Sequence, residues 1–211
     1  MKDWFLDEAR KRWQLTEMDL GEFAQINKGG MHFHMQAYMA EGAGKLFLMD
    51  MKALGGLMKM ETVTFTPIGL DGPILSGDAV RAMGRSTLVL ELYDTTLSHP
   101  DFKTLGAIKE KYAALPSYDP GSPSYYRFRL PESAYKKGRK IQDAGRSMAE
   151  DYGQTYLQLL QSCERVDAEE KQKKNAEFSE MLYACGGPAV NQFKKMIGEE
   201  KTKEFLVKYM Y

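Results

Sequence analysis

The chain has 211 residues, of which 43% are hydrophobic and 27% are charged. Its 29 lysines and arginines balance its 29 aspartates and glutamates, which argues against wholesale binding to nucleic acid, because that function needs excess positive charge. No apolar run approaches the roughly 20 residues of a membrane span, no signal-peptide pattern opens the chain, and two cysteines make no disulfide framework. We expect a monomer in a reducing compartment, cytoplasmic or plastid, with no nucleic-acid or membrane partner.

The first half of the chain predicts a short helix followed by an antiparallel meander. Residues 3–13 have the spacing of an amphipathic helix. Segments rich in β-formers then predict strands at 31–39, 45–52, 59–66, 74–82 and 86–93. The gaps between these strands are only a few residues long, whereas a parallel crossover needs about a dozen, so neighbouring strands are expected to be antiparallel.

The second half predicts helices, with one exception. An alternating segment at 125–131 indicates an edge strand. Helical spacing covers 101–115, 140–161, 168–183, 188–197 and a last stretch from 199 to about 211. A strand-rich part (30–95) and a helix-rich part (100–211) within one domain, 1–211, predict an α+β layered sandwich.

His32 and His34 form an H-x-H pair on a predicted strand, where both rings project from one face as metal sites in barrels require. Such a site needs a third ligand, and the remaining histidine, His99, lies in a predicted loop beside Pro100. No carboxylate has a spacing that nominates it instead. Two polar histidines on a half-exposed strand are the simpler interpretation, and a metal-dependent enzyme stays an alternative.

Asp78 is the carboxylate that best fits catalysis. It follows Ser76 and Gly77 inside an otherwise apolar strand. On a covered face of the sheet, burial would raise its pKa toward neutrality, as a proton donor requires; a solvated aspartate on an open face is the other interpretation. Asp50 and Glu61, on neighbouring predicted strands, are further acids that share this face if the strand registers allow it.

Two further features are compatible with a binding function. Methionines on the predicted strands suit a large planar apolar ligand, although a methionine-rich core gives the same pattern. Two basic groups could dock an acidic protein or hold ligand carboxylates, unless they are solvated helix faces. These groups are Lys136, Lys137, Arg139, Lys140 and Arg146, and Lys194, Lys195, Lys201, Lys203 and Lys208. Nucleotide-binding and hydrolase motifs are missing from the sequence.

The order of these pieces resembles the ferredoxin-dependent bilin reductases. The tail from Gly187 to Met210 is similar to the C-terminal signature of that family, a helix and a tight turn leading to a last amphipathic helix. The segments Phe65-Thr-Pro67 and Pro73-Ile-Leu-Ser-Gly-Asp78 resemble its paired strands, and residues 125–131 resemble the strand before its long helices. The resemblance covers roughly residues 45 to 210.

This resemblance implies a three-layer α/β/α sandwich with a central antiparallel sheet and helices on both faces. It also implies an enzyme that reduces an open-chain tetrapyrrole such as biliverdin, with no bound organic cofactor and no metal. In that family, single electrons from ferredoxin or flavodoxin alternate with protonations by pocket residues, through bilin radicals. The expected partners are therefore a bilin substrate and an acidic ferredoxin or flavodoxin.

The resemblance also assigns site residues. The family's key acid maps onto Asp78, and a second position, His or Asn in some members, falls on Glu61; both are predicted to be catalytic. The residues predicted to contact the substrate are Asp50, Met60, Phe65, Tyr126 and Phe128.

Two departures from the family pattern lie near the end of the chain. A distal aspartate of many members is replaced here by Gly187, and Pro188 follows where a basic residue can bind a propionate. A non-catalytic tetrapyrrole-binding or carrier protein on the same fold is therefore the alternative function.

Overall fold

The computed structural model describes all 211 residues, apart from the side chain of Pro188. Its strands are β1 Leu15–Glu17, β2 Gln25–Lys28, β3 Met31–Ala40, β4 Gly44–Ala53, β5 Met58–Pro67, β6 Ile74–Ala82, β7 Arg85–Tyr93 and β8 Ala134–Gly138. Its helices are α1 Lys2–Arg10, α2 Lys103–Lys111, α3 Gln142–Ser162, α4 Ala168–Cys185, α5 Pro188–Ile197 and α6 Glu199–Phe205, the last continued by a π-helical turn, Leu206–Met210.

The strands form one antiparallel sheet in the order β1-β3-β4-β5-β6-β7-β8, with β2 also paired to β3. The pairs Thr62↔Asp78 and Asp78↔Val89 fix the registers at the centre of the sheet. From β3 to β7 the chain runs as the meander that the short gaps predict. The α+β class and the central antiparallel sheet are thereby confirmed.

Each face of the sheet is covered by three helices, so the two faces have separate cores. Helices α1, α2 and α3 cover the face that presents Leu46, Leu48 and Leu90; we call it the α1–α3 face. Helices α4, α5 and α6 cover the other, the α4–α6 face, where Phe47 and Met49 are buried. Because successive strand residues point to opposite faces, each central strand contributes to both cores.

Buried lysines hold the C-terminal part of the chain on its face. The Lys171 Nζ of α4 donates to the main-chain oxygens of Gly72 (2.7 Å) and Thr95 (2.6 Å) and lies 3.7 Å from Asp71. On β4, Lys45 donates to the main-chain oxygens of Val207 (2.9 Å) and Tyr211. Desolvation lowers the pKa of both lysines to about 8. A buried cation needs several acceptors, so these contacts fix where the C-terminal helices lie.

Four elements differ from the sequence prediction. Residues 124–128 form a 3₁₀-helix and not an edge strand, and the predicted 125–131 segment has one isolated β-bridge to the sheet, Tyr93↔Arg129. The edge is instead β8, which pairs with β7 and was not predicted. The short strands β1 and β2 were also missed. Among the described residues, no helix has both the length and the apolar character needed to cross a membrane.

Candidate functional site

Polar side chains line the middle of the sheet on its α4–α6 face. Thr62 and Thr64 of β5, Ser76 and Asp78 of β6, and Glu91 of β7 alternate with residues of the opposite core. Four of the five are buried, and Asp78 is partly buried. Buried polar groups cost free energy unless they are bonded, so five together on one face indicate a site and not a packing surface.

The pKa of Asp78 lies in a range that suits acid catalysis. Its Oδ1 accepts a hydrogen bond of 2.5 Å from the hydroxyl of Thr62. Desolvation raises the pKa of Asp78 to about 6; the Thr62 hydrogen bond opposes this rise, and the negative charge of Glu91 adds to it. A carboxyl with that pKa exists in both forms near neutral pH and can therefore deliver a proton and be reloaded.

Glu91 is the second carboxylate of the site. Its Oε2 accepts a hydrogen bond from Tyr93 (2.5 Å), and its Oε1 accepts one from Tyr135 (2.8 Å). Since Asp78 pairs with Val89, Glu91 lies diagonally across the strands from Asp78, about 7–8 Å away between Cα atoms. The two carboxyls therefore face the same space, close enough to influence each other's charge.

Tyrosines surround these carboxyls. Burial raises the pKa of Tyr125 to about 12 and those of Tyr126, Tyr135 and Tyr211 still higher, and the charge of Glu91 contributes in each case. These phenols stay protonated throughout the physiological range. They can donate hydrogen bonds to a ligand or to Glu91, but they do not release their protons to solvent.

A cavity of about 380 Å³ opens beside this polar surface. Its floor is β7 and β8, its side is the 118–126 segment, and its far wall is the junction of α4 and α5. The lining residues are Val89, Glu91, Tyr118, Pro120, Pro123, Tyr125, Tyr126, Tyr135, Cys185, Gly186 and Gly187. The volume lies in the range of small-molecule sites.

The α4–α5 junction shapes the wall of this cavity through its glycines. Gly186 ends α4 in the left-handed conformation (φ 64°), where a Cβ would come within 2.5 Å of the Asn191 side chain. Gly187 follows, and a Cβ there would lie 3.5 Å from the Tyr125 hydroxyl. Gly187, which stands where the sequence resemblance expects an aspartate, therefore lies at the cavity wall and has no side chain that could contact a ligand.

Two cations, which we call the rim cations, lie against tyrosines that line the cavity. The Arg129 guanidinium stacks 4.0 Å from the centre of the Tyr126 ring and donates to the Tyr135 hydroxyl at 3.2 Å. The Lys137 ammonium lies 5.6 Å from the centre of the Tyr118 ring. Both could meet the carboxylates of a ligand that enters the cavity.

The structure brings some of the predicted site residues to the Asp78 face. Met60 packs partly buried against the core of the α4–α6 face, Tyr126 lines the cavity, and Phe128 packs against Phe178 with ring centres 5.7 Å apart. Asp78 itself lies on a face covered by helices, as the catalytic interpretation requires.

The structure places three other predicted residues on the opposite face, so the expectation that Glu61 and Asp50 share the face of Asp78 is wrong. Glu61 Oε2 accepts from the main-chain nitrogens of Met1 (3.0 Å) and Lys2 (3.2 Å), and Asp50 pairs with the Lys2 ammonium at 3.0 Å. Burial opposes the ionisation of Glu61, but these hydrogen bonds outweigh it and lower its pKa. Phe65 is fully buried in the α1–α3 core.

The physical reason is the strand register. Thr62, and not Glu61, pairs with Asp78, and a shift of one residue moves a side chain to the other face. Odd-numbered residues of β5 therefore point to the α1–α3 face. The sequence could not settle a register that differs by one residue between two plausible alignments.

The histidine pair does not lie in a ligand set. His32 and His34 are exposed, and His32 Nδ1 lies 2.8 Å from Asn27 Oδ1. His99 is in a separate loop, 3.0 Å from Asp94. Among the described residues, no group of three His, Cys, Asp or Glu side chains is placed to hold a metal ion.

A second cavity, of about 270 Å³, lies on the α1–α3 face between β5, β6, β7 and the start of α3. It contains Glu61, whose carboxylate is already bonded by main-chain nitrogens, and three exposed cations, Lys59, Arg81 and Arg146. The pKa of Glu61 is lowered, which does not suit a proton donor near neutral pH. We therefore place the candidate site on the α4–α6 face, where the partly buried Asp78 lies.

Sequence analysis missed Glu91, Thr62 and most of the tyrosines. A usable signal for Glu91 was present: like Asp78, it interrupts an apolar strand, between Leu90 and Leu92. Thr62 and Tyr135 carry no such signal, because a threonine or tyrosine is ordinary in any strand.

Comparisons with known proteins agree with this fold. No family model and no curated protein sequence matches the chain. The crystal structure of phytochromobilin synthase from tomato in complex with biliverdin does match, with a TM-score of 0.75 over 99% of this chain and 80% of that chain. The identity is 17%, so the match demonstrates a shared fold. This is the fold that the sequence resemblance implies, and at that level the resemblance is confirmed.

Proposed function

We propose that this protein reduces an open-chain tetrapyrrole of the biliverdin type, using electrons from an external one-electron donor such as ferredoxin or flavodoxin. The observation that carries the proposal is the placement of Asp78, a carboxyl with a pKa of about 6 on the central sheet of a fold shared with a biliverdin-binding synthase. Acid–base chemistry at such a carboxyl is what a reductase without its own cofactor needs.

The reaction adds two electrons and two protons to one double bond of the pigment. A first proton from Asp78 would make the bilin cationic, so that it accepts a single electron more readily and becomes a neutral radical. A second electron and a second proton would complete the reduced bond, and two molecules of the donor would be oxidised. Solvent reloads Asp78 after each transfer.

The other residues have supporting roles in this scheme. Thr62 fixes the orientation of the Asp78 carboxyl, and burial together with the charge of Glu91 keeps the pKa of Asp78 high. Arg129 and Lys137, which contact tyrosines of the cavity lining, would bind the propionates of the pigment. Met60 and Phe128 would contact its apolar rings.

A non-catalytic bilin carrier is the second candidate. One observation favours it: the cavity wall at Gly187 offers no side chain, where the sequence resemblance expects an aspartate. A carrier would need the cavity and the rim cations, but no carboxyl poised to give up a proton.

The deciding experiment is an anaerobic absorbance titration with biliverdin, followed by the addition of reduced ferredoxin. A reductase gives a bound-state spectrum that then changes in steps, whereas a carrier gives binding without further change. Absence of any spectral change on mixing would contradict both functions.

Two variants sharpen this experiment. Asp78→Asn should retain pigment binding and lose turnover by about 10²–10⁴-fold, the usual contribution of a general acid. Glu61→Gln, a carboxyl on the neighbouring strand but on the opposite face, is the matched control and should turn over at the parent rate. Equal turnover by Asp78→Asn and the parent would remove Asp78 from the mechanism.

A further inference from the structure

Two neighbouring β-hairpins end in exposed aliphatic side chains. Leu54, Leu57 and Met83 are 57%, 70% and 79% exposed, the highest values among the large apolar side chains described. The pairs Ala53↔Met58 and Met58↔Ala82 put the β4–β5 and β6–β7 turns side by side at one end of the sheet. We call these three residues and the cations around them the hairpin-tip surface.

The backbone at these tips is strained. Leu54 and Met83 have φ of 52° and 50°, in the left-handed region where glycine or asparagine is usual. An apolar side chain at such a position costs stability twice, through its backbone conformation and through its exposure to water. Tight hairpin turns require such a conformation, and strained residues are enriched at functional sites.

Cations outnumber anions around these tips; Glu61, which shares a cavity with Lys59 and Arg81, is an anion close to them. The segments 25–33, 51–60, 79–90 and 133–142 meet at this end of the sheet and contain no aspartate or glutamate, in a chain with 29 of them. Their exposed cations are Lys28, Lys52, Lys59, Arg81, Arg85, Lys137, Arg139 and Lys140. Within the described part of the chain, none of these cations is in an ion pair.

We propose that the hairpin-tip surface docks on an anionic lipid bilayer. Leu54, Leu57 and Met83 insert among the lipids, and the surrounding lysines and arginines lie over the anionic headgroups. Aliphatic tips with nearby cations have the chemistry of interfacial anchoring. This proposal departs from the sequence-based expectation of no membrane partner. That expectation rests on the lack of a spanning segment, which contact with a bilayer surface does not need.

The composition favours lipid over an acidic protein as the partner. Protein interfaces are enriched in aromatic residues and depleted in lysine. Here five of the eight cations are lysines, and the exposed apolar residues are aliphatic.

The test is flotation of the full chain with vesicles of phosphatidylcholine, with and without phosphatidylserine, at about 0.1 M salt. The parent should float with the phosphatidylserine vesicles only. Leu54→Ser/Leu57→Ser/Met83→Ser should lower the partition coefficient about tenfold or more. Lys52→Gln/Lys59→Gln/Arg81→Gln/Arg85→Gln should lower it about 100-fold or more.

Matched controls lie at the other end of the sheet. Met39→Ser/Val207→Ser removes two exposed apolar side chains there, and Lys103→Gln/Arg165→Gln/Lys173→Gln/Lys174→Gln removes the same amount of charge. Both should float like the parent, and all variants should unfold thermally near the parent temperature.

Two results would overturn the proposal. One is that the parent does not float with anionic vesicles. The other is flotation that depends on the cations but is unaffected by the three serines, which would identify a purely electrostatic surface of the kind that receives an acidic protein.

Discussion

The two faces of the central sheet are built from the same strands but differ in composition. Toward α1–α3, β7 presents Leu88, Leu90 and Leu92, all buried in one apolar core. Toward α4–α6, the same strand presents Val89, Glu91 and Tyr93, and Glu91 is bonded to tyrosines. Along β7, one face therefore serves packing alone, and the other adds polar groups that can act on a ligand to its core. Such an asymmetry locates a site without reference to any relative.

The largest expected effect is a loss of stability on the packing face. Leu90→Ala should lower the free energy of unfolding by about 3 kcal/mol, because it leaves a cavity in a core where Leu90 is only 3% exposed. On the other face, Thr64→Val removes a buried hydroxyl with no hydrogen-bond partner among the described groups. That change should be neutral or stabilising, by up to about 1 kcal/mol. Urea unfolding of both variants measures the contrast, and equal losses would mean that the faces do not differ in this way.

The sequence predicts the strands of the sheet better than the contacts within the candidate site. Alternation in Met31–Met39 and the short gaps between strands give the meander, because a period of two and the minimum length of a crossover are local properties. The partnership of Asp78 with Thr62 depends on a register between strands, and that of Glu91 with Tyr135 depends on an unpredicted edge strand. Such contacts are set by tertiary packing, which local patterns do not encode.

The next effect is a pH dependence that arises on the site face. The native pKa of Asp78, about 6, is above its ordinary 3.8, so the folded state binds this proton more tightly than the unfolded state. Its contribution to stability is complete below about pH 4 and is lost as the pH rises through about 6. The difference in pKa corresponds to roughly 3 kcal/mol at most, and the partial exposure of Asp78 reduces this to about 1–2 kcal/mol.

Asp78→Asn tests this dependence, because it removes the titration and keeps the shape of the side chain. Relative to the parent, the variant should gain stability between pH 5 and pH 8, as measured by urea unfolding at both values. A constant difference across that range would show that Asp78 has an ordinary pKa in the folded protein.

A smaller effect separates the causes of that pKa. Glu91→Gln removes a negative charge that contributes to the raised pKa of Asp78, while burial, the larger cause, remains. The comparison is between two proteins that both carry Glu91→Gln, one with Asp78 and one with Asp78→Asn. The difference in their free energies of unfolding changes with pH, and the midpoint of that change should move to lower pH. An unmoved midpoint would assign the raised pKa to burial without a contribution from Glu91.

The smallest effect concerns the hairpin tips, which lie outside both cores. Met83 is 79% exposed and has a φ of 50°, so Met83→Gly removes the left-handed strain and little packing. The greater freedom of glycine in the unfolded chain offsets part of this gain, and we expect a net stabilisation of about 0.5 kcal/mol in urea unfolding. Met39→Gly, within β3, should instead destabilise, because glycine weakens a strand interior. Met83→Gly should also weaken flotation with anionic vesicles. Both results together would mean that Met83 serves binding and not folding. Loss of stability in Met83→Gly would instead mean that this side chain supports the hairpin.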